Sequence, residues 1–237
     1  MTAPTPATPV VSGAPVASTT SAQARPLSRP LSAVGLGALL GLAAWSADQL
    51  AYPWSVLIPA NTVAVWVAVA FAAGALGVSI VGGAIRGLTA LLAAVVVYEA
   101  LTGTLGYGVS SGGAVHASLV WGAAAAVIGP VFGAAGATWR GSRGRARAIA
   151  VAVLGAAFIA EGLVFGAPRL VVVAELVYDP GAIVLGLEMA IGLAIPWLLL
   201  RPDERRTGYV ALAVLGAIAA VAIEPATGVL RSIADRF

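Results

Sequence analysis

The sequence predicts an all-α, polytopic membrane helix bundle of about seven transmembrane helices, with the N-terminus inside and the C-terminus outside. Three observations predict it. First, 60% of the 237 residues are hydrophobic and only 10% are charged, whereas about a quarter of an ordinary soluble domain is charged. Second, apolar runs of spanning length recur along the chain, each near the roughly 20 residues a bilayer crossing needs. Third, arginines gather between alternate runs, as the positive-inside rule requires.

This composition also excludes. Ten acidic and 13 basic residues cannot furnish the charged surface of a soluble globule this long, which removes a water-soluble enzyme. A nucleic-acid-binding domain is removed as well, despite an isoelectric point near 9.8. With no cysteine there is no disulfide framework, no cysteine metal site and no thiol catalysis. All 13 basic residues are arginine, which beside so much Ala, Gly and Val reads as high-GC codon usage.

Residues 1–30 are rich in Pro, Thr and Ala, with six prolines and no apolar periodicity. Such a segment buries too little to offset its ordering entropy, so it is expected to be a disordered cytoplasmic tail. It is not a signal peptide, because the first apolar run begins only at Leu31 and is long enough to span. The transmembrane domain is expected over 31–230, with a short C-terminal tail at 231–237. Its spans are predicted at 31–50, 61–81, 85–105, 115–138, 147–166, 182–200 and 208–228. Between the second and third spans, Gly82, Gly83 and Arg86 allow only a tight turn. The stretch 167–180 is too short to cross and is expected to be an outer loop or interfacial piece.

Seven spans put Arg25, Arg29, Arg86, Arg140, Arg143, Arg145, Arg147, Arg201, Arg205 and Arg206 on one side, leaving Arg169, Arg231 and Arg236 on the other. A bacterial plasma membrane is the expected location. A faint repeat accompanies this topology. Ala38–Gly41 leads to Asp48, Ala90–Ala93 to Glu99, Ala152–Gly155 to Glu161 and Ala213–Gly216 to Glu224. These motifs fall on spans 1, 3, 5 and 7, as repeated two-helix hairpins would place them.

The intramembrane carboxyls are the candidate functional groups. A charge near the bilayer centre costs about 2.5–3.5 kcal/mol on insertion scales, so such a group must be paired, hydrated or protonated. Glu99, Glu161, Glu188 and Glu224 fall within predicted spans, in the half away from the arginines, with Asp48 at the outer end of span 1. Asp48 and Glu224 read as interfacial, while Glu161 and Glu188 lie deeper and read as functional or as helix-to-helix hydrogen-bonding groups. Asn61 opens span 2, where it either caps that helix or faces an acidic cavity. His116, the lone histidine, reads as a polar residue at a helix start, and neither a metal site nor a cofactor is expected.

Gly129 and Gly133 form a GxxxG, a close-packing signal. Gly129-Pro130 is expected to kink span 4, and Pro196 to act similarly in span 6. Tyr52, Trp54, Trp139 and Trp197 read as interfacial belt residues, and Trp45, Trp66 and Trp121 as deeper packing. The cluster Arg140, Arg143, Arg145 and Arg147 chiefly sets topology, and it also suits anionic lipid headgroups.

Two blocks resemble a known family. Ala60-Asn61-Thr62 with Trp66 and Ala70–Gly74 forms the first; Trp121 with Gly129–Gly136 and Trp139-Arg140 forms the second. Both are similar to blocks of a family of small multi-pass membrane proteins from high-GC bacteria that carries only a domain-of-unknown-function label. Glu161 matches its acidic position in the next helix, over a resemblance covering roughly 35–206. Asn61-Thr62 and Tyr98-Glu99 stand where that pattern has Asn-Ser and a Tyr pair. The resemblance implies a shared architecture and no activity.

The leading functional expectation is a transporter or binder of a small solute, cation or proton, using Glu161, Glu188, Glu99, Glu224 and Asn61. One alternative is an accessory or structural membrane subunit, in a homo-oligomer or beside a partner membrane protein. The other is an intramembrane enzyme of the acid-initiated isoprenoid-cyclase type, by architectural analogy.

Overall fold

A computed structural model describes residues 28–50, 61–105, 111–163 and 180–234. Those residues form seven helices: α1 Ser28–Asp48, α2 Val63–Ala75, α3 Ile80–Leu105, α4 Ser111–Gly141, α5 Arg145–Glu161, α6 Pro180–Leu199 and α7 Pro202–Ala234. No strand occurs among the described residues. The tail before Ser28, Tyr52, Trp54 and nearly all of 167–180 lie outside them, as do the side chains of His116 and Glu224. α7 continues to Ala234, through Arg231, past the boundary at 230 that composition marks. Prolines open two helices, Pro180 on α6 and Pro202 on α7, where the missing N–H is not needed and the fixed φ is already helical.

Three segments are long and apolar enough to cross a membrane: Leu31–Asp48, Ile80–Leu105 and Ser118–Gly141. The helical fold and these segments are those of a membrane protein. α2 corrects the expected span 61–81, because it has only 13 residues. At about 1.5 Å per residue it falls short of the roughly 30 Å hydrocarbon core. The turn comes earlier than the glycines indicate, over Leu76–Ser79, where Gly77 donates to the Gly74 carbonyl at 2.8 Å. Gly82 and Gly83 lie inside α3 instead.

Those glycines serve close packing rather than chain reversal. A Cβ on Gly133 of α4 would lie 2.9 Å from the Gly87 Cα of α3, and one on Gly129 would lie 2.7 Å from the Leu88 Cα. Gly74 and Gly83 meet the same Gly133 backbone. Where lipid supplies no hydrophobic drive between helices, such backbone-to-backbone approach supplies the dispersion contacts instead. α4 runs unbroken through Pro130, as α6 does through Pro196.

α1 packs on α3 and α5 packs on α7, while α2 and α4 touch both pairs. The odd-numbered helices therefore form two pairs rather than lining a single interior. The largest core cluster joins α2, α5 and α6 through Val67, Phe71, Val151, Leu154, Phe158 and Ile195. A second joins α1, α2, α3 and α4 through Leu40, Ala70, Leu91, Val95 and Ala125.

The two ends of the bundle differ chemically. At one end arginines close helix C-termini. Arg86 donates to the Leu76 carbonyl, Arg140 to Ala75 at 3.3 Å, Arg147 to Leu199 at 3.1 Å and Arg205 to Trp197 at 3.0 Å. Trp139 Nε1 also donates to Leu199, at 3.2 Å. The last carbonyls of a helix lack intrahelical partners and carry the negative end of its dipole, so a guanidinium fits there. Glu204 is buried at the same end. It accepts from the Gly144 amide at 2.6 Å and the Arg201 amide at 3.3 Å, and lies 3.7 Å from Arg147 Nε.

Candidate functional site

The opposite end of the bundle gathers Asp48, Glu99, Glu161 and Glu188 in two places, on either side of the N-terminus of α2. In the first, Asp48 closes α1. Its two oxygens accept from Asn61 Nδ2 and Tyr98 Oη, each at 2.5 Å. Both donors are neutral, so they hold the carboxylate in position without cancelling its charge. Tyr98 reaches Asp48 because α1 and α3 lie against each other, with a Cβ on Gly37 or Gly41 meeting the Ala90 or Ala94 backbone.

Asp48, Asn61 and Tyr98 form part of the wall of a cavity of about 260 Å³ between α1, α2, α3 and α4. Glu99 lines it too, half-buried and with no hydrogen bond or ion pair to another described residue. Trp66 of α2 and Trp121 of α4 stack across one side, with ring centroids 6.3 Å apart and planes at 26°. The remaining described wall is aliphatic, from Leu91, Val95, Ala125 and Ile128 among others, and no arginine is among the described lining residues. Asp48 and Asn61 are exposed, so the cavity is reached from the end of the bundle.

The second place is built around Glu161, the last residue of α5. Its carboxylate accepts the Val63 amide at 2.9 Å and the Ala64 amide at 2.6 Å. These are the first two residues of α2, whose opening amides have no partners within the helix. Thr62 occupies the N-cap position but supplies no side-chain cap. Asn61 does not cap α2 either, contrary to one expectation for it, because it stands one residue before the N-cap position and the opening amides of Val63 and Ala64 go to Glu161. A helix from elsewhere in the chain provides the cap, and its negative charge also suits the positive end of the α2 dipole. Glu188 of α6 lies near Glu161, with the Thr62 hydroxyl beside it, and is 2% exposed.

The five expected residues thus do not share one cavity. Glu99 and Asn61 meet at the cavity, while Glu161 and Glu188 meet at the head of α2 and are not part of its lining. The Glu224 side chain lies outside the described residues. Val63 is the joint between the two places, lining the cavity while donating its amide to Glu161. Reasoning from sequence missed the roles of Asp48, Tyr98, Trp66 and Trp121. The signals available were the repeat that leads to Asp48 and the family resemblance, whose blocks hold Asn61, Trp66 and Trp121 and whose compared positions include Tyr98.

The cavity pairs carboxylates with aromatic faces over an aliphatic floor. Carboxylates attract a cation by charge, and indole and phenol rings attract it through their quadrupoles. Among the described residues no group of three or more His, Cys, Asp or Glu is arranged to hold a metal ion.

No curated protein and no solved structure matches the chain. The family match extends over residues 20–230, beyond the 35–206 expected, and so takes in the end of the N-terminal segment and most of α7. Over that range the chain matches the model described as "Family of unknown function (DUF6518)", and it belongs to that family.

Proposed function

We propose that this chain is a multi-pass integral protein of the bacterial plasma membrane, with its N-terminus inside, that binds a small organic cation and carries it through the bundle. The observation that carries the reading is the cavity itself, which Asp48 and Glu99 line with Trp66, Trp121 and Tyr98 and with no arginine among the described lining residues. A hydrated metal ion has little use for stacked indoles, whereas an alkylammonium group uses both the charge and the rings. The volume, about 260 Å³, suits a solute of a few heavy atoms. Orientation follows from the arginine distribution, which puts the carboxyl end outside.

This reading moves the binding role from Glu161 and Glu188 to Asp48 and Glu99. Glu161 is already committed to two backbone amides of α2. An acid-initiated cyclase needs an apolar pocket closed to water, and a wall bearing Asp48 and Asn61 at an exposed end does not favour it.

The test is calorimetric titration of the purified full-length protein in nanodiscs with tetramethylammonium, choline and their neutral carbon isosteres. Saturable binding of the cations alone is expected, lost in Glu99→Gln and weakened at least tenfold in Trp121→Ala. Equal response to the neutral isosteres, or cation binding unchanged in Glu99→Gln, overturns the reading. Stoichiometric co-purification with a second membrane protein, without cation binding, favours the accessory-subunit alternative.

A further inference from the structure

A second concave surface lies at the arginine-rich end, in a groove of about 580 Å³ between α5 and α7. Arg145, Arg206 and Thr207 form its polar rim, and Ile149, Val210 and Val214 are among the aliphatic residues below them. The arginines differ from their neighbours. Arg86, Arg140, Arg147 and Arg205 are spent on backbone carbonyls. Arg145 and Arg206 are exposed and have no hydrogen bond or ion pair to a described residue. The buried carboxylate nearest in sequence, Glu204, is held by Gly144, Arg201 and Arg147 and does not line the groove.

Both arginines stand near helix starts. Arg145 is the first residue of α5, whose N-cap Gly144 supplies no side-chain cap. Arg206 and Thr207 lie in the second turn of α7, which starts at the same end. Both helix N-termini are already met by Glu204, which accepts the Gly144 and Arg201 amides, so the positive charge of the rim is that of the two guanidinium groups.

The apolar part decides what kind of anion fits. Ile149, Val210 and Val214 are 43%, 62% and 54% exposed. They follow the rim at helical spacing, with Ile149 four residues after Arg145 and Val210 and Val214 four and eight after Arg206. Eight residues of helix descend about 12 Å. An inorganic anion would use the rim and leave this stripe empty. A molecule with a phosphate head and a hydrocarbon chain uses both.

We propose that the α5–α7 groove is a binding site for an anionic phospholipid, its phosphate between Arg145, Arg206 and the Thr207 hydroxyl, and one acyl chain along Ile149, Val210 and Val214. This site is independent of the cation cavity, being at the other end of the bundle and on different helices. It differs from a general attraction of lipid to the Arg140–Arg147 cluster, because only Arg145 of that cluster lines the groove.

Native mass spectrometry of the full-length protein, released from micelles carrying equal phosphatidylglycerol and phosphatidylcholine, tests it. One or two phosphatidylglycerol molecules are expected to stay bound in at least fivefold preference. Arg145→Gln/Arg206→Gln should lose that preference, while Arg143→Gln, exposed and outside the groove, should keep it. Circular dichroism and a monodisperse elution profile establish that each variant is folded; a second double variant, Arg145→Lys/Arg206→Lys, should recover part of the preference. Equal retention of the two lipids overturns the proposal, as does an equal loss in Arg143→Gln, which would mark diffuse electrostatics. Displacement of the lipid by millimolar inorganic phosphate also overturns it, because the acyl stripe would then contribute nothing. So does a dimer that forms in place of lipid retention.

Discussion

Glu161 accepts the Ala64 amide at 2.6 Å across 97 positions of sequence, so the last turn of α5 caps the first turn of α2. This contact fixes where α2 begins. It thereby sets Asn61 against Asp48 and Val63 at the cavity wall. A structural bond at one carboxylate thus positions the wall that holds two others.

Glu161→Gln should destabilise the protein without unfolding it at room temperature. The amide keeps one acceptor oxygen and turns a donor toward the other backbone N–H. Hydrogen bonds to a charged group contribute about 1.5–3 kcal/mol, so a fall in unfolding midpoint on the order of 5 °C is expected. Glu161→Ala should fall further. Thermal unfolding in detergent, followed by tryptophan fluorescence, reads both, and an unchanged midpoint in Glu161→Ala would remove the capping role.

Gly133→Val should prevent stable packing of α3 on α4. Its Cβ alone would lie 2.9 Å from the Gly87 Cα and 3.0 Å from the Gly83 carbonyl carbon. The helices would have to separate, and the expected result is aggregation on size-exclusion chromatography. Gly122→Ala is the control, because nothing lies within 4 Å of its added Cβ. A monodisperse Gly133→Val protein with a wild-type midpoint would contradict the packing argument.

Tyr98→Phe should weaken cation binding by roughly tenfold, the scale of one hydrogen bond to a charged group. The phenol positions the Asp48 carboxylate from 2.5 Å away. Its removal should leave the unfolding midpoint close to wild type, since Asp48 is exposed. Calorimetric titration with tetramethylammonium distinguishes this from a general loss of folding, and undiminished affinity would show that Asp48 acts without Tyr98.

Orientation can be read with single cysteines, because the natural chain has none. In intact cells a membrane-impermeant maleimide should label Gln49→Cys. It should reach Ser142→Cys only after permeabilisation. The reverse pattern would invert the proposed topology and put the cavity on the cytoplasmic side.

Glu204→Ala should loosen the joint between α4, α5 and α7. It would leave the Gly144 and Arg201 amides and Arg147 without their carboxylate. A loss of about 1–3 kcal/mol is expected, with faster proteolysis between Gly141 and Arg145. Wild-type resistance to protease would place the stabilisation elsewhere.

Much of this architecture was legible in the order of residues. Scarce charge and long apolar runs specify buried, helical backbone, because in lipid a chain must satisfy its own amides. Arginines between alternate runs marked one end of the bundle, and Asp48, Glu99, Glu161 and Glu188 marked the other. The close approach at Gly129 and Gly133 was legible as well, because a GxxxG declares a helix face locally. Glycine in Gly82-Gly83 misled, since the same residue serves a turn and a packing face, and only the partner helix decides between them. The partners of the carboxyls were hidden for a related reason. Glu161 and Ala64 are distant in sequence, as are Asp48 and Tyr98, and no periodicity within a helix encodes which neighbour it meets. The sequence by itself determined the helical class of this protein, its long apolar segments and the chemical difference between the two ends of its bundle. Only tertiary packing decided that Asp48 and Glu99 share a cavity with two indoles while Glu161 serves as a cap, because a carboxyl's role is set by the donors and charges that other helices bring to it.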